Sequence, residues 1–322
     1  GIINMASDCM RSKLVNRYWV YGKDYYKDGF MPYPHYHPAG YSDECKNLEI
    51  RDDDIFFTGF PRSGTHIGVE LIQSVQNVGN KDFLKKHIHD RVEMVHISKD
   101  VMTGKVSLLE YGENPLPRLS AQPSPRFLFG PHLPYEFCPL GIQQGNCKVI
   151  VGFRNPKSVY TSCFHAIDGI SDTGIFSERI SKEDFMAAIL TGDSRNMPCC
   201  GSWFDFHKQW WENKNENIYF LNYENLVQDC HKVVKEVANF LGKALTEEQV
   251  SDITDHVKFD KIKENPAFGK AFENLKDVKT AHMRKGKIDD WKNFFTVAQS
   301  EQFDELYAQK MKDTDFPQPI YE

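Results

Sequence analysis

Three short apolar runs are uninterrupted instead of alternating with polar residues. They lie in "DDDIFFTGF" (52–60), "CKVIVGF" (147–153) and "NIYFLNY" (217–223). Continuous apolar runs of this length are typical of strands buried on both faces of a parallel sheet. Two stretches with helical spacing, around 67–75 and over 229–241, alternate with these runs, and Gly242 marks the end of the second. The pattern predicts a single α/β domain with a central, mainly parallel sheet flanked by helices.

Local signals place several boundaries. Capping-box patterns predict helix starts at Ser181, Thr246 and Thr296, and Pro156 suits the first turn of a further helix. Residues 112–126 carry four prolines and are predicted to be loop, as a flexible cover. Residues 1–50 are predicted to form an irregular arm and 51–322 the folded domain.

Composition narrows the function classes. The chain has 322 residues, 40% of them hydrophobic, which is ample for a large core, and its net charge of −6 argues against a general nucleic-acid binder. Its eight cysteines contain no CxxC pair with metal spacing, so we expect reduced thiols, no metal site and a cytoplasmic location. No apolar stretch is long enough to cross a membrane, and we expect neither a membrane nor a nucleic acid as partner.

The first run leads directly into "GFPRSGTH", residues 59–66. At the carboxyl end of a parallel strand, a glycine loop followed by a helix presents backbone N–H groups and the positive end of the helix dipole to an anion. Arg62 adds a charge, and Ser63 or Thr65 a hydroxyl. The alternative is a plain strand–turn–helix connection. A nucleotide kinase fits less well, because Thr65-His66 stands where a Walker A loop has Lys-Ser/Thr.

Several segments in one order resemble the cytosolic sulfotransferases, and arthropod members in particular. The loop "FPRSGT" resembles the family's Y-P-K-S-G-T-T-W, and "RFLFGPHLP" (126–134) resembles R-[FL]-[LI]-K-T-H-L-P. The similarity extends over about residues 50–312 and includes "VIVGFRNPKSVYTSCFH" (149–165), "GSWFDFHKQWW" (201–211), "IYFLNYENL" (218–226) and "RKGKIDDWKNFFTVAQSEQFD" (284–304). This resemblance implies a fold like that of P-loop proteins.

The resemblance implies transfer of a sulfuryl group from 3′-phosphoadenosine 5′-phosphosulfate (PAPS) to a hydroxyl or amine of a small lipophilic acceptor. Phenols, steroids and retinoids are all admissible acceptors. His132 is the implied general base and Arg62 the cation at the departing nucleotide. The implied nucleotide-binding residues are Arg62, Ser63, Gly64, Thr65, His66, Ile67, Arg154, Ser162, Tyr223, Phe259, Arg284, Lys285 and Gly286. A family dimerisation motif is matched by Lys292, Thr296, Val297 and Glu301, which implies a homodimer.

Other interpretations of these residues stay open. Arg154 could form a surface salt bridge, the run "RKGK" could be solvated, and a single histidine among twelve is often incidental. Phe83, Phe127 and Phe164 are candidate acceptor walls or plain core.

The active-site segments depart from the family pattern at several positions. Arginine replaces the loop lysine at Arg62, and Ile67 replaces the tryptophan that stacks on the adenine. Val257 replaces a threonine, and Gly130-Pro131 replace the Lys-Thr before the catalytic histidine. An impaired protein that only binds nucleotide or a lipophile is therefore the alternative, and a dehydrated product is a variant of the main hypothesis. If the missing lysine limits turnover, restoring it at Gly130 is expected to raise turnover.

Overall fold

The structure of the protein, a computed structural model, describes residues 41–95, 99, 113–169, 171–173, 178–192, 201–267 and 286–322. Most of the predicted arm, residues 1–40, therefore lies outside the described residues. Its last part forms a short helix, Tyr41–Lys46. Within the described residues, no helix is both long and apolar enough to span a membrane.

Five parallel strands form one sheet in the order β2-β3-β1-β4-β5. They are β1 (Ile55–Gly59), β2 (Glu93–Met94), β3 (Phe127–Phe129), β4 (Lys148–Phe153) and β5 (Ile218–Asn222). All of β1 is buried, as its unbroken apolar run predicts. Because strand residues alternate between faces, Phe56 belongs to one hydrophobic core and Phe57 to the other. The predicted fold class, a single domain with a parallel sheet flanked by helices, is confirmed.

Helices cover both faces of this sheet. The described helices are α1 (Tyr41–Lys46), α2 (Thr65–Gln76), α3 (Lys81–Lys85), α4 (Ile88–Arg91), α5 (Leu116–Ala121), α6 (Leu140–Gln143), α7 (Pro156–Gly169), α8 (Lys182–Thr191), α9 (Trp203–Glu212), α10 (Tyr223–Gln228), α11 (Cys230–Phe240), α12 (Glu247–His256), α13 (Phe259–Glu264) and α14 (Val297–Met311). One core packs α7, α8, α9 and α14 against the sheet, and the other packs α2, α11 and α12.

The predicted helix starts are confirmed. Thr246 and Thr296 form complete capping boxes, and Ser181 accepts the backbone N–H of Asp184. Helix α7 begins at Pro156, where the missing N–H of proline costs no intrahelical bond. These caps fix where α8, α12 and α14 begin, and Pro156 fixes the start of α7.

The prediction of loop throughout 112–126 is wrong. Helix α5 occupies Leu116–Ala121, with Pro115 as its N-cap residue and Pro117 in its first turn. Proline is tolerated there because the first N–H groups of a helix have no intrahelical acceptor. Leu116 and Leu119 bury their side chains, so apolar contacts hold this segment against the domain.

Candidate active site

The candidate residues meet at the carboxyl edge of the sheet. Strand β1 leads into the 59–66 loop, β3 into His132, β4 into Arg154 and β5 into Tyr223. In parallel sheets this edge is where ligands bind, because loops and helix N-termini converge there. The register pairs Gly59 of β1 with Gly152 of β4, so the loop and Arg154 leave the sheet side by side.

The loop has a backbone that requires glycine at one position. Gly64 adopts a φ of 79°, and a Cβ built on it would lie 2.4 Å from Cδ2 of Tyr223. Only glycine permits both the left-handed conformation and this close approach. Arg62 is also left-handed, with a φ of 66°. Helix α2 begins at Thr65, so its free N–H groups lie beside the loop.

Arg62 and Arg154 form a connected pair with Ser162. Nε–H of Arg62 donates to Oγ of Ser162 at 2.9 Å, and Nη1–H of Arg154 donates to the carbonyl of Arg62 at 3.2 Å. The guanidinium carbon of Arg154 lies 4.4 Å from the centre of the Tyr223 ring. The geometry therefore brings together two arginines, a hydroxyl and an aromatic ring from three separate segments of the chain.

The last predicted segment reaches the same place. Gly286 has a φ of 67°, and a Cβ on it would lie 2.5 Å from Cδ1 of Phe259, so the Phe259 ring packs directly on this glycine. Nη2–H of Arg154 donates to the carbonyl of Lys287 at 3.3 Å. Arg284 and Lys285 lie outside the described residues.

His132 faces the loop from β3. Its Nδ1 lies 2.9 Å from the carbonyl oxygen of Gly59, and its backbone N–H donates to the same oxygen at 3.1 Å. A carbonyl oxygen only accepts, so the neutral ring carries its proton on Nδ1. Nε2 then holds the lone pair, which is the form a general base requires. His132 is also left-handed, with a φ of 65°.

The remaining residues around the loop are buried or half-buried. Ser63 and Thr65 are buried, and Ile67 is buried in the core with Val257. Burial and the neighbouring His89, Arg62 and His132 lower the pKa of His66 to about 3, so its imidazole is neutral at pH 7. A neutral imidazole at this position can still donate a hydrogen bond to an anion.

The candidate acceptor walls have packing contacts of their own. Phe164 lies 5.3 Å from Phe185 and 5.2 Å from Phe294 between ring centres, and Phe127 packs on the other core. The ring of Phe83 lies 5.9 Å from the guanidinium carbon of Arg91. These three residues are half-buried.

The motif expected to form a dimer lies on the surface. Thr296 caps α14, Lys292 pairs with Glu322, and Glu301 is exposed. The side chain of Val297 is 76% exposed. An exposed apolar residue of this kind is compatible with a contact to a second copy, although exposed single apolar residues are also ordinary.

The sequence did not identify three residues that support the site. Nε1–H of Trp203 donates to the carbonyl of Arg154 at 3.0 Å. Asn155 and Glu224 form two hydrogen bonds with each other directly behind Arg154. For Asn155 and Glu224, the sequence offered one signal, their position: each is the second residue after the end of a strand, β4 or β5.

Comparison with known proteins decides the family. The model of the sulfotransferase domain family matches residues 52–315. The chain belongs to this family. Sulfotransferase 1B1 of Mus musculus is 34% identical over 286 residues, 84% of this chain and 87% of that protein. Amine sulfotransferase of Oryctolagus cuniculus is 32% identical over 287 residues, with 84% and 85% covered. The enzyme class predicted from the motifs, a sulfotransferase, is confirmed.

Solved structures agree on the fold of this sulfotransferase. Retinol dehydratase in a complex with retinol and PAP superimposes with a TM-score of 0.78 at 23% identity, with 96% of each chain covered. Mouse sulfotransferase SULT7A1 complexed with PAP gives a TM-score of 0.65 at 26% identity, covering 86% of this chain and 91% of that one.

Proposed function

We propose that this sulfotransferase transfers a sulfuryl group to a hydroxyl or amine of a small lipophilic acceptor, with His132 as the general base. Family membership makes PAPS the sulfuryl donor and 3′-phosphoadenosine 5′-phosphate (PAP) the product. The observation that carries the proposal is the position of His132, whose Nδ1 is held by Gly59 at 2.9 Å where β1 enters the anion-binding loop.

Two buried polar atoms support nucleotide binding at this edge. Oγ of Ser63 and Nε of Arg154 are buried without a hydrogen-bond partner among the described residues. Buried donors without partners are costly, and an anionic ligand that accepts from them removes that cost. Ser63 lies in the loop suited to the 5′-phosphosulfate, and Arg154 beside Ser162 is suited to the 3′-phosphate.

The expected adenine contacts are Phe259 and Ile67, and Tyr223, which packs against Arg154 and Gly64, is a further expected nucleotide contact. The family's aromatic ring at residue 67 is absent, which removes about 0.5–1.5 kcal/mol of stacking. We therefore expect the phosphates to supply most of the nucleotide affinity. Thr65, His66, Gly64, Arg284, Lys285 and Gly286 complete the proposed nucleotide site.

His132 would act on the acceptor. Its Nε2 takes the proton of the acceptor hydroxyl as the new S–O bond forms, which is worth roughly 10²–10⁴ in rate. The carbonyl of Gly59 stabilises the resulting imidazolium, since both the Nδ1–H and the charge are favoured by a carbonyl dipole. Arg62 balances negative charge that develops on the bridging oxygen of PAP.

The acceptor class is proposed from relatives. One solved neighbour is a complex of retinol dehydratase with retinol, and another holds androsterone. A lipophilic alcohol, phenol or amine is the corresponding class for this chain. We also propose a cytoplasmic location and a homodimer through Lys292, Thr296, Val297 and Glu301. A protein that only binds ligands is the second candidate, and the glycine at residue 130 favours it.

Calorimetry and a labelled donor test the proposal together. PAP should bind with micromolar or tighter affinity, about −8 kcal/mol, whereas ATP with Mg²⁺ should not. Labelled PAPS should then transfer its sulfuryl group to at least one member of a panel of phenols, steroids, retinoids and amines. PAP binding without transfer to any acceptor would support the second candidate. Binding of ATP with Mg²⁺ alone would contradict both.

A further inference from the structure

A buried carboxylate lies directly behind the proposed 3′-phosphate site and has no role in the steps above. Glu224 is completely buried in the first turn of α10. Its Oε1 accepts the backbone N–H of Asn155 at 3.0 Å and the Nδ2–H of the same residue at 2.9 Å. Its Oε2 is buried without a partner among the described residues. A buried carboxylate with one oxygen unsatisfied is costly, so its presence calls for a reason.

The register of the sheet explains why Glu224 meets Asn155. Strands β4 and β5 pair up to Phe153 and Asn222. One residue further, Arg154 lies over the ring of Tyr223 at 4.4 Å. Two residues further, Asn155 bonds to Glu224. Side-chain contacts thus continue the pairing for two residues beyond the strands, and Glu224 forms the last of them.

Asn155 connects Glu224 to the groups that would bind phosphate. It follows Arg154 directly, and its Oδ1 accepts the backbone N–H of Ser158 at 2.8 Å, which caps the start of α7. Ser162 lies in the second turn of the same helix. The hydroxyl of Ser158 donates to the carbonyl of Ile288 at 2.7 Å, next to the Lys287 carbonyl that Arg154 contacts. A shift of Asn155 would therefore move Arg154 and α7.

The charge of Glu224 acts on the same neighbours. Burial raises the pKa of its carboxyl group, while the hydrogen bonds from Asn155 and the charge of Arg154 oppose that rise. The buried carboxylate of Asp54 is different, because both of its oxygens accept hydrogen bonds from Arg126. Asp54 precedes β1, at the opposite edge of the sheet from the site.

We propose that Glu224 is a positioning residue for recognition of the nucleotide's 3′-phosphate. By holding Asn155, it fixes Arg154 and the capped start of α7 in the arrangement that binds this phosphate. The proposal rests on the proposed function, since it names what maintains the 3′-phosphate site. It predicts an effect on discrimination between nucleotides with and without the 3′-phosphate, which a purely structural role would not produce.

The test measures the affinities of PAP and adenosine 5′-monophosphate, which lacks the 3′-phosphate, by competition against a labelled PAP. Glu224→Gln keeps an acceptor oxygen for Asn155, so its preference for PAP should stay within about twofold of the wild type. Glu224→Ala leaves both donors of Asn155 unsatisfied and should reduce that preference by about tenfold. Its affinity for adenosine 5′-monophosphate should be unchanged.

Two further variants keep the test decisive. Glu224→Asp shortens the side chain by one methylene and should also reduce the preference, which covers the case in which Glu224→Ala does not fold. Asp54→Asn alters a buried carboxylate at the far edge and should lower the melting temperature without changing the preference.

The outcomes separate this proposal from the proposed function. Equal losses of both affinities, or an unchanged preference in Glu224→Ala and Glu224→Asp, would overturn the positioning role. A wild-type protein that binds PAP no more tightly than adenosine 5′-monophosphate would overturn the nucleotide site itself. The wild-type preference is therefore measured before that of any variant.

Discussion

The ring of Phe56 fills the space beside Gly130. A Cβ built on Gly130 would lie 2.5 Å from Cζ and 2.8 Å from Cε2 of Phe56. Phe56 is completely buried, and its ring centre lies 6.4 Å from that of Trp210. A large buried ring in a packed core cannot move aside without cost. The family lysine is therefore absent from a position where this chain has no room for any side chain.

This contact revises the expectation that a lysine at residue 130 would raise turnover. Gly130→Lys should leave turnover unchanged or lower, because the new side chain must displace Phe56. Gly130→Ala should already lower the free energy of unfolding by about 1–3 kcal/mol. Urea unfolding measures the stability, and labelled-donor assays measure the turnover.

The matched control for Gly130 replaces the Phe56 ring with a smaller side chain. In a Phe56→Leu background, Gly130→Ala should cost less, with a coupling free energy of about 0.5–3 kcal/mol in a double-mutant cycle. If Gly130→Lys turned over faster than the wild type and was equally stable, the steric explanation would be wrong.

Arg62 is the next residue whose role can be measured. Its Nε–H donates to Ser162 at 2.9 Å, and its charge lies beside the loop. Arg62→Ala should lower kcat by about 10²–10³, the usual cost of losing a group that stabilises developing negative charge. Arg62→Lys retains a charge and should lose much less. Ser162→Ala serves as the control, because it removes the hydroxyl that accepts from Arg62 without removing the charge. Wild-type kcat in Arg62→Ala would exclude this residue from the chemistry.

Buried histidines make stability depend on pH. Burial lowers the pKa of His207 to about 3, against the opposing hydrogen bond to the Trp203 carbonyl. A histidine whose folded pKa lies below its unfolded value of about 6.5 destabilises the fold as pH falls from about 6.5 toward 3, because the unfolded chain binds the proton first. At pH 5, His207 lowers the free energy of unfolding by about 2 kcal/mol. The pKa of His89 is lowered by burial to about 4, and His66 behaves similarly.

His207→Phe should reduce the slope of the unfolding free energy against pH between pH 6.5 and 5. The reduction should correspond to up to one fewer proton bound on unfolding. Urea unfolding at several pH values measures it. Phe206→Leu, in the same aromatic cluster, should lower stability equally at each pH. An unchanged slope in His207→Phe would mean that His207 is not kept neutral by the fold.

The sequence predicted the parts of the fold that depend on local pattern. Strands β1, β4 and β5 are continuous apolar runs, and the helix caps are local hydrogen bonds, so both are readable from neighbouring residues. Helix α5 was missed because its prolines occupy the N-cap and first turn, where they favour a helix start instead of breaking it. Strand β2 has two residues and β3 has three, too few for any periodicity.

The candidate site was predictable only as far as motifs extend. The loop was found from its glycines at the end of the first apolar run, and Arg154, Ser162 and Tyr223 were found through the family pattern; the structure places them together. Other contacts join distant parts of the chain: Phe56 and Gly130 are separated by 74 positions, and Asn155 and Glu224 by 69. Such contacts depend on the register of parallel strands, which no local pattern specifies.

The central claim is that His132 removes the acceptor proton. The most direct measurement compares the wild type and His132→Ala in the transfer of labelled sulfuryl from PAPS to an acceptor that the wild type sulfates. PAP affinity is measured on both proteins. Transfer should fall by roughly 10²–10⁴, and PAP affinity should stay nearly unchanged. A His132→Ala variant that transfers at the wild-type rate would contradict the account.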